Sequence, residues 1–229
     1  MDVHIGYEAG ANATGGNNIG IGRDAGRGYH GVSQAEYGAN STNTQNVSIG
    51  TFAGRTLIGS NSVNVGYNAG YYATGSQNTF VGSSAGKGGT TSAPYSSGQQ
   101  NVAVGRNALR NFSTGNYNIA IGYQAALNNT SGTGNVAIGY RANYTNTTSG
   151  TNVTIGYNAG YTSTSNDATW IGANANKLGT GGGGGVIIGQ NSGMYAHGIG
   201  MVHVGQNAGR YASGSYNVFV GRYAGQGGT

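Results

Sequence analysis

The sequence contains no cysteine, one proline (Pro94) and no long apolar run, and each absence excludes a class of protein. Without cysteine there are no disulfides and no thiolate metal sites. Collagen is excluded because proline is nearly absent and glycine shows no three-residue period. No segment approaches the ~20 consecutive apolar residues of a membrane-spanning helix, so we predict no membrane insertion.

Charge is also scarce, since only 7% of the 229 residues are Asp, Glu, Lys or Arg. Ten basic and five acidic side chains give a net charge of +5. The basic residues are scattered singly along the chain, whereas a nucleic-acid-binding protein normally concentrates them on one face. The sequence therefore predicts no nucleic-acid partner.

Glycine is abundant, with 48 residues, and a subset of it reveals an internal repeat. One glycine closes a short apolar segment in each of thirteen copies. Ten of the twelve intervals between these glycines are 16 or 17 residues, which indicates a structural period. The strand-ending glycines are Gly6, Gly22, Gly50, Gly66, Gly82, Gly105, Gly122, Gly139, Gly156, Gly172, Gly189, Gly205 and Gly221.

Each copy approximates Asn-Val-x-Ile-Gly-x-x-Ala-Gly, and the segment Asn135–Gly139 is a clean copy of its first five residues. The residue before the strand-ending glycine is always Val or Ile, and the residue two earlier is Val or Ile in eleven copies. Apolar, β-branched residues two apart predict one face of a β-strand. Alanine lies three residues after the glycine in twelve copies, with Ser192 as the exception.

These features predict an all-β protein, a parallel β-solenoid (β-roll) of about 13 coils of 16–17 residues, because stacked repeats bury what one repeat cannot. We expect one domain over residues 1–229, with loop insertions near 28–45 and 87–100. Stacked asparagine amides should hydrogen-bond from coil to coil. The asparagines that precede strands are Asn18, Asn46, Asn78, Asn101, Asn118, Asn135, Asn152 and Asn217.

The middle residue of each strand is predicted to point away from the coil interior. Several of these residues are apolar, and an exposed apolar stripe is typical of an interface. We therefore expect parallel chains to associate, with a homotrimer as the simplest closed fibre. The predicted interface residues are Phe80, Ala103, Ala120, Ala137, Trp170, Ile187 and Phe219.

The units Asn118–Gly122 and Asn135–Gly139 resemble the head repeats of trimeric autotransporter adhesins. The longer unit Asn152–Gly160 is similar to repeats in bacteriophage tail-fibre and tail-spike proteins. These resemblances imply a trimeric β-solenoid fibre that gives reach and host-surface attachment as part of a virion. A bacterial surface adhesin is the alternative, and an ice-binding solenoid is a third hypothesis of a different class.

Motifs that would indicate an enzyme are weak, and we predict no catalytic residue, metal site or cofactor. The segment Gly82–Gly88 is one residue too short for a phosphate-binding loop and lacks its Ser or Thr. Glu8 and Asp24 occupy equivalent positions in neighbouring repeats, a spacing that would suit a pair of glycosidase carboxylates. Stacking of the repeats explains the same spacing.

Tyrosine is the most informative of the polar residues, with 17 copies. Tyrosines that follow consecutive strand-ending glycines predict a stacked ladder, and exposed aromatic rings can also bind sugars. A cell-surface glycan or a protein receptor is thus the expected external partner. The candidate contact residues are Tyr67, Tyr123, Tyr140, Tyr157, Tyr29, Tyr37 and Tyr95.

Overall fold

The computed structural model describes residues 1–13, 15–28, 44–89, 95–162, 164–180 and 183–227. Within these residues every regular element is a three-residue β-strand, and no helix is long and apolar enough to cross a bilayer. The chain forms two compact units, residues Met1–Tyr117 and Asn118–Thr229. The first unit contains β1–β6 and the second contains β7–β13.

Each strand consists of the three residues that precede a strand-ending glycine, as the repeat predicts. The strands are β1 (Val3–Ile5), β2 (Ile19–Ile21), β3 (Val47–Ile49), β4 (Val63–Val65), β5 (Thr79–Val81), β6 (Val102–Val104), β7 (Ile119–Ile121), β8 (Val136–Ile138), β9 (Val153–Ile155), β10 (Thr169–Ile171), β11 (Val186–Ile188), β12 (Val202–Val204) and β13 (Val218–Val220).

Within each unit, every strand pairs in parallel with the strand of the next repeat, which confirms the β-solenoid. The register is the same at each step: Val136 pairs with Val153, Ala137 with Thr154 and Ile138 with Ile155. Backbone hydrogen bonds also link neighbouring coils outside the strands. For example, the Asn143 N–H donates to the Ala159 backbone carbonyl at 3.0 Å. Each coil contains one strand, so the two-strand coil that the repeat length would accommodate does not form among the described residues.

The strand-ending glycine is required by both its conformation and its surroundings. All thirteen have φ between 121° and 137°, a region that residues with a Cβ rarely adopt. A Cβ on Gly139 would also lie 2.5 Å from the carbonyl oxygen of Gly156 in the next coil. The backbones of successive turns therefore stack too closely for a side chain, which explains the period that identified the repeat.

The prediction that the middle strand residues point outward is wrong. Six of the seven predicted interface residues, Phe80, Ala103, Ala120, Ala137, Trp170 and Ile187, are fully buried inside a single chain, and Phe219 in the terminal strand is partly buried. The residues that flank each of them, Val or Ile except for Thr79 and Thr169, face outward instead. The burial of the middle column therefore excludes those six residues as a contact surface between chains.

The run of small residues in the middle column has a packing explanation. The fourth residue after the strand-ending glycine is often a second glycine. The middle strand residue that contacts this second glycine is then often large, as Phe80 is beside Gly86. In three coils the middle strand residue is alanine. In those coils the fourth residue after the strand-ending glycine has a buried side chain, namely Leu109, Ala126 or Asn143. The two positions share one narrow interior, so a small residue at one leaves room for a larger residue at the other.

The predicted insertions lie between coils whose strands keep the common register, β2 with β3 and β5 with β6. Residues 29–43 of the first insertion lie outside the described residues. In the second, Tyr95 stacks on Tyr72 at 5.7 Å and Ser96 bridges to Ala73, so the repeat register is restored from Tyr95 onward. The extra residues of this insertion therefore lie before Tyr95, and residues 90–94 are outside the described part.

Candidate functional surfaces

The outward side chains of the strands form a nearly uniform aliphatic surface on each unit, here called the aliphatic face. In the second unit it comprises the first and third residues of β7–β13, and thirteen of these fourteen are Val or Ile. Most are half-buried by their neighbours in the adjacent coils, while Ile119 and Ile121 in β7 and Val218 and Val220 in β13 are exposed. Aliphatic side chains, interrupted by Thr169, thus cover the outer side of these strands.

An aliphatic row of this kind differs from the scattered exposed apolar residues found on most soluble proteins. Seven strands about 4.8 Å apart extend for roughly 30 Å along the stacking direction. Contiguous exposed apolar patches mark sites of interaction. This face is not evident from the sequence, because hydrophobicity alone would place the regular Val and Ile columns in the interior.

Asparagine side chains form the predicted ladder beside the strands. The side-chain oxygen Oδ1 of Asn118 accepts from the backbone and side-chain amides of Asn135 at 3.0 and 3.1 Å. Asn135 makes the same pair of contacts with Asn152, and Asn152 then accepts from the Ala168 N–H at 3.1 Å. These amides are buried and satisfied, so their role is to hold the coils in register.

The predicted tyrosine ladder is confirmed. Tyr123, Tyr140 and Tyr157 stack with centroid distances of 5.3 and 5.1 Å and interplanar angles of 14° and 11°. Each face of the central ring is therefore covered by a neighbouring ring, and stacking of a sugar on Tyr140 is excluded. The exposed parts of the ladder are ring edges and hydroxyl groups, since Tyr140 and Tyr157 retain 38% and 54% of their surface.

The other candidate tyrosines do not form one site. Tyr67 is exposed and meets the ring of Phe52 edge-on at 6.2 Å. Tyr95 is half-buried against Tyr72. Tyr29 and Tyr37 lie outside the described residues.

The carboxylates of Glu8 and Asp24 are held by one cation. The Arg27 guanidinium contacts Glu8 at 2.5 Å and Asp24 at 2.9 Å, and Arg23 approaches Asp24 at 3.4 Å. The Asp24 side chain is only 6% exposed. The geometry is that of a salt-bridge network at the coil surface, in which the neighbouring acids are neutralised and Asp24 is shielded from solvent.

Other chemistry is equally restricted. Gly82–Gly88 forms the same turn as other repeats, and its Gly82 and Gly86 occupy the standard positive-φ positions. No three His, Asp or Glu side chains of the described residues lie close enough to share a metal ion. These segments are accounted for by coil geometry.

Polar residues also occupy the interior column. His203 is fully buried beside the ring of Phe219 at 5.2 Å, and neither ring nitrogen has a hydrogen-bond partner among the described atoms. Burial lowers the pKa of His203 below its usual value because the charged imidazolium is poorly solvated there. Burial in the folded chain therefore favours the neutral form of His203.

The turn after each strand-ending glycine carries most of the surface aromatic residues and cations. The Arg141 guanidinium lies over the ring of Tyr144 at 5.5 Å, and it is 5.2 Å from the centre of the Tyr140 ring, whose faces are covered by the ladder. Arg210 lies over Tyr195 and Tyr211 at 5.9 and 5.1 Å. Such contacts stabilise the cation on the ring face and hold the guanidinium in place. The side of the coil formed by these turns, here called the turn face, is a second candidate surface.

Comparison with known proteins gave no significant match to any protein-family model, curated protein or solved structure. The function of the chain is therefore inferred from the aliphatic face and the turn face.

Proposed function

We propose that the chain is a structural and adhesive fibre element that associates with copies of itself through the aliphatic face. The observation that carries this proposal is the continuous Val and Ile surface on the outer side of β7–β13. Its side chains keep part of their apolar surface exposed, and apart from the Thr169 hydroxyl they offer no hydrogen bond to a polar ligand. A second apolar surface is the partner that this chemistry favours.

Another copy of the chain is the simplest partner because the face is regular along its length. When two or three copies of the chain lie side by side, their identical aliphatic faces match residue for residue. No second, complementary surface is needed. Three chains about one axis would cover the face of each chain with the faces of two others, and closed rotational symmetry is the usual solution for identical subunits. This arrangement is the homotrimer that the fibre hypothesis expects.

The proposed biological role is that of a tail-fibre or tail-spike segment that provides reach and host attachment in a virion. The stacked coils support this role because each added repeat lengthens the element without changing its neighbours. The coil surface also presents ring edges, amides and cations suited to a cell-surface receptor. A bacterial surface adhesin uses the same physical features, and localisation of the native protein separates the two.

The oligomer is tested by placing charge on the aliphatic face. Ile138→Lys together with Ile155→Lys would put two ammonium groups within an interface, and we expect sedimentation equilibrium to change from trimer to monomer. Gln190→Lys together with Gln206→Lys adds the same charge at exposed turn positions and is the matched control. A wild-type monomer, or a trimer that survives the Ile138 and Ile155 changes, would contradict the proposal.

A further inference from the structure

Cations that are dispersed in the sequence are concentrated in one part of the coil. Every lysine and arginine of the chain lies within five residues after a strand-ending glycine. Because equivalent residues of successive coils are stacked, each unit gathers its cations on the turn face. The residues are Arg23, Arg27, Arg55, Lys87, Arg106, Arg110, Arg141, Lys177, Arg210 and Arg222.

The charge excess is greatest in the second unit. Residues 118–229 contain four basic side chains and one acid, a net charge of +3, whereas residues 1–117 contain six and four, a net charge of +2. The one acid, Asp167, lies before β10, at the opposite end of the strand from the turn cations, and accepts a hydrogen bond from the Thr151 hydroxyl. The turn face of the second unit therefore carries cations without a neighbouring carboxylate.

Three of these cations, here called the basic row, follow alternate strands of the second unit: Arg141 after β8, Lys177 after β10 and Arg210 after β12, a step of about 10 Å along the stacking direction. Lys177 and Arg210 are the fifth residues after their strand-ending glycines. Arg141 is the second, but its guanidinium lies 5.5 Å from the ring of Tyr144, the fifth residue of the same coil. Arg141 and Arg210 are held over tyrosine rings, which fixes their guanidinium groups before any ligand arrives. None of the three makes a salt bridge with a described residue.

Neutral hydrogen-bonding groups lie on the same turns. The exposed side-chain amides of Gln190 and Gln206 are joined at 3.0 Å. The partly buried amides of Asn174 and Asn191 are joined at 3.1 Å. These amides provide donors and acceptors for hydroxyl groups. The turn face of the second unit therefore combines widely spaced positive charge with neutral polar groups.

We propose that the basic row binds an acidic polysaccharide that lies along the stacking direction and carries one carboxylate on alternate sugars. Successive carboxylates would meet successive cations, and the intervening sugar hydroxyls would meet the amides. The charge spacing favours a polysaccharide over a nucleic acid, whose phosphates recur at about 3.4 Å along each strand. This inference specifies the receptor class for the attachment role proposed above and rests on it.

The test uses hyaluronan oligosaccharides as the probe, since they carry a carboxylate on alternate sugars. Binding to the full chain is measured by calorimetry at low and moderate salt, with neutral chitin oligosaccharides for comparison. We expect hyaluronan to bind, chitin oligosaccharides to bind at least about tenfold more weakly, and affinity to fall with added salt. Equal binding of the two sugars would overturn the proposal.

Substitutions then distinguish binding by the basic row from a general effect of net charge. Replacing Arg141, Lys177 and Arg210 together by Gln should weaken binding about tenfold or more, since three exposed ion pairs are lost. The matched control replaces Arg55, Lys87 and Arg110 by Gln, which removes the same charge from the first unit. Equal loss in both triple variants would show a nonspecific charge effect and overturn the assignment to the row.

Two further measurements keep the result interpretable. A variant with Arg141→Lys and Arg210→Lys retains the charge and should retain most of the binding. Oligothymidylate that binds as tightly as hyaluronan, and through the same three residues, would replace the polysaccharide by a nucleic acid. Sedimentation of the same samples reports self-association separately, so failure of sugar binding with an intact trimer rejects this inference and leaves the fibre proposal standing.

Discussion

The indole of Trp170 lies against Gly160 of the preceding coil, so that a Cβ on Gly160 would come within 2.6 Å of the indole Cε3 atom. Gly160 has φ of 55°, so its conformation also favours glycine. One large side chain in the interior column thus depends on the absence of a side chain in its neighbour.

The first prediction follows directly from this contact. Gly160→Ala should reduce the free energy of unfolding by about 2–4 kcal/mol, because left-handed strain and overpacking add together. Urea unfolding followed by circular dichroism measures the loss. Gly183→Ala is the matched control, since its Cβ would meet nothing nearer than 3.6 Å and its φ is not in the left-handed region. A similar loss in both variants would contradict the packing argument.

The asparagine ladder should contribute strongly to stability. Asn135→Ala removes an acceptor for two donors of Asn152 and leaves buried groups unpaired, so we expect a loss of about 2–4 kcal/mol. Asn135→Ser should be milder, because Ser62 occupies the same position in another coil and accepts from the Asn78 N–H at 3.2 Å. The order of urea midpoints, wild type then Ser then Ala, checks this prediction. Equal midpoints for Ser and Ala would show that the acceptor is unimportant.

The buried imidazole of His203 predicts a pH dependence of stability. Burial lowers its pKa in the folded state, so the unfolded chain takes up a proton first as the pH falls. The folded state is favoured fully above the unfolded pKa of about 6.5, and stability decreases below it until the folded pKa is reached.

His203→Ile isolates this effect, since Ile187 fills the equivalent position in the neighbouring coil. The difference in unfolding free energy between wild type and variant should change between neutral and mildly acidic solution, with the wild type losing more at acidic pH. Parallel curves for the two proteins would show that His203 does not titrate in this way.

The inward position of Trp170 gives a prediction that separates folding from association. Trp170→Ala should cost about 3–5 kcal/mol by leaving a cavity, and it should unfold chains instead of releasing intact monomers. In the wild type, Trp170 is the sole tryptophan, so its emission should be blue-shifted when folded and shift to the red on unfolding. Solvent-exposed emission from the native protein would contradict its burial.

The period and residue types of the sequence were sufficient to predict the strands, their parallel stacking and both ladders. They did not reveal which side of the strand faces inward. Val and Ile were assigned to the interior on hydrophobicity, but the interior is a narrow space shared by the middle residue and the fourth residue after the glycine. The pairing of Ala103 with Leu109, and of Ala137 with Asn143, was the available signal.

The turn face shows a second limit of predicting surfaces from the order of residues along the chain. Arg141, Lys177 and Arg210 are more than thirty residues apart in sequence, yet stacking brings them to alternate coils of one unit. Counting positions from each strand-ending glycine, instead of along the chain, would have revealed the concentration of charge. The aliphatic face and the basic row therefore emerge only after the coil geometry is known.

The coil-to-coil hydrogen bonds also determine how the second unit responds to mechanical load. A force that draws its terminal coils apart along the stacking direction pulls on the bonds of one interface at a time, because each coil is bonded only to its immediate neighbours. Coils should therefore detach singly, and a detached coil of 16 or 17 residues releases about 50 Å of extended chain. Under a stretching force the unit would therefore lengthen in discrete steps and dissipate energy at each step.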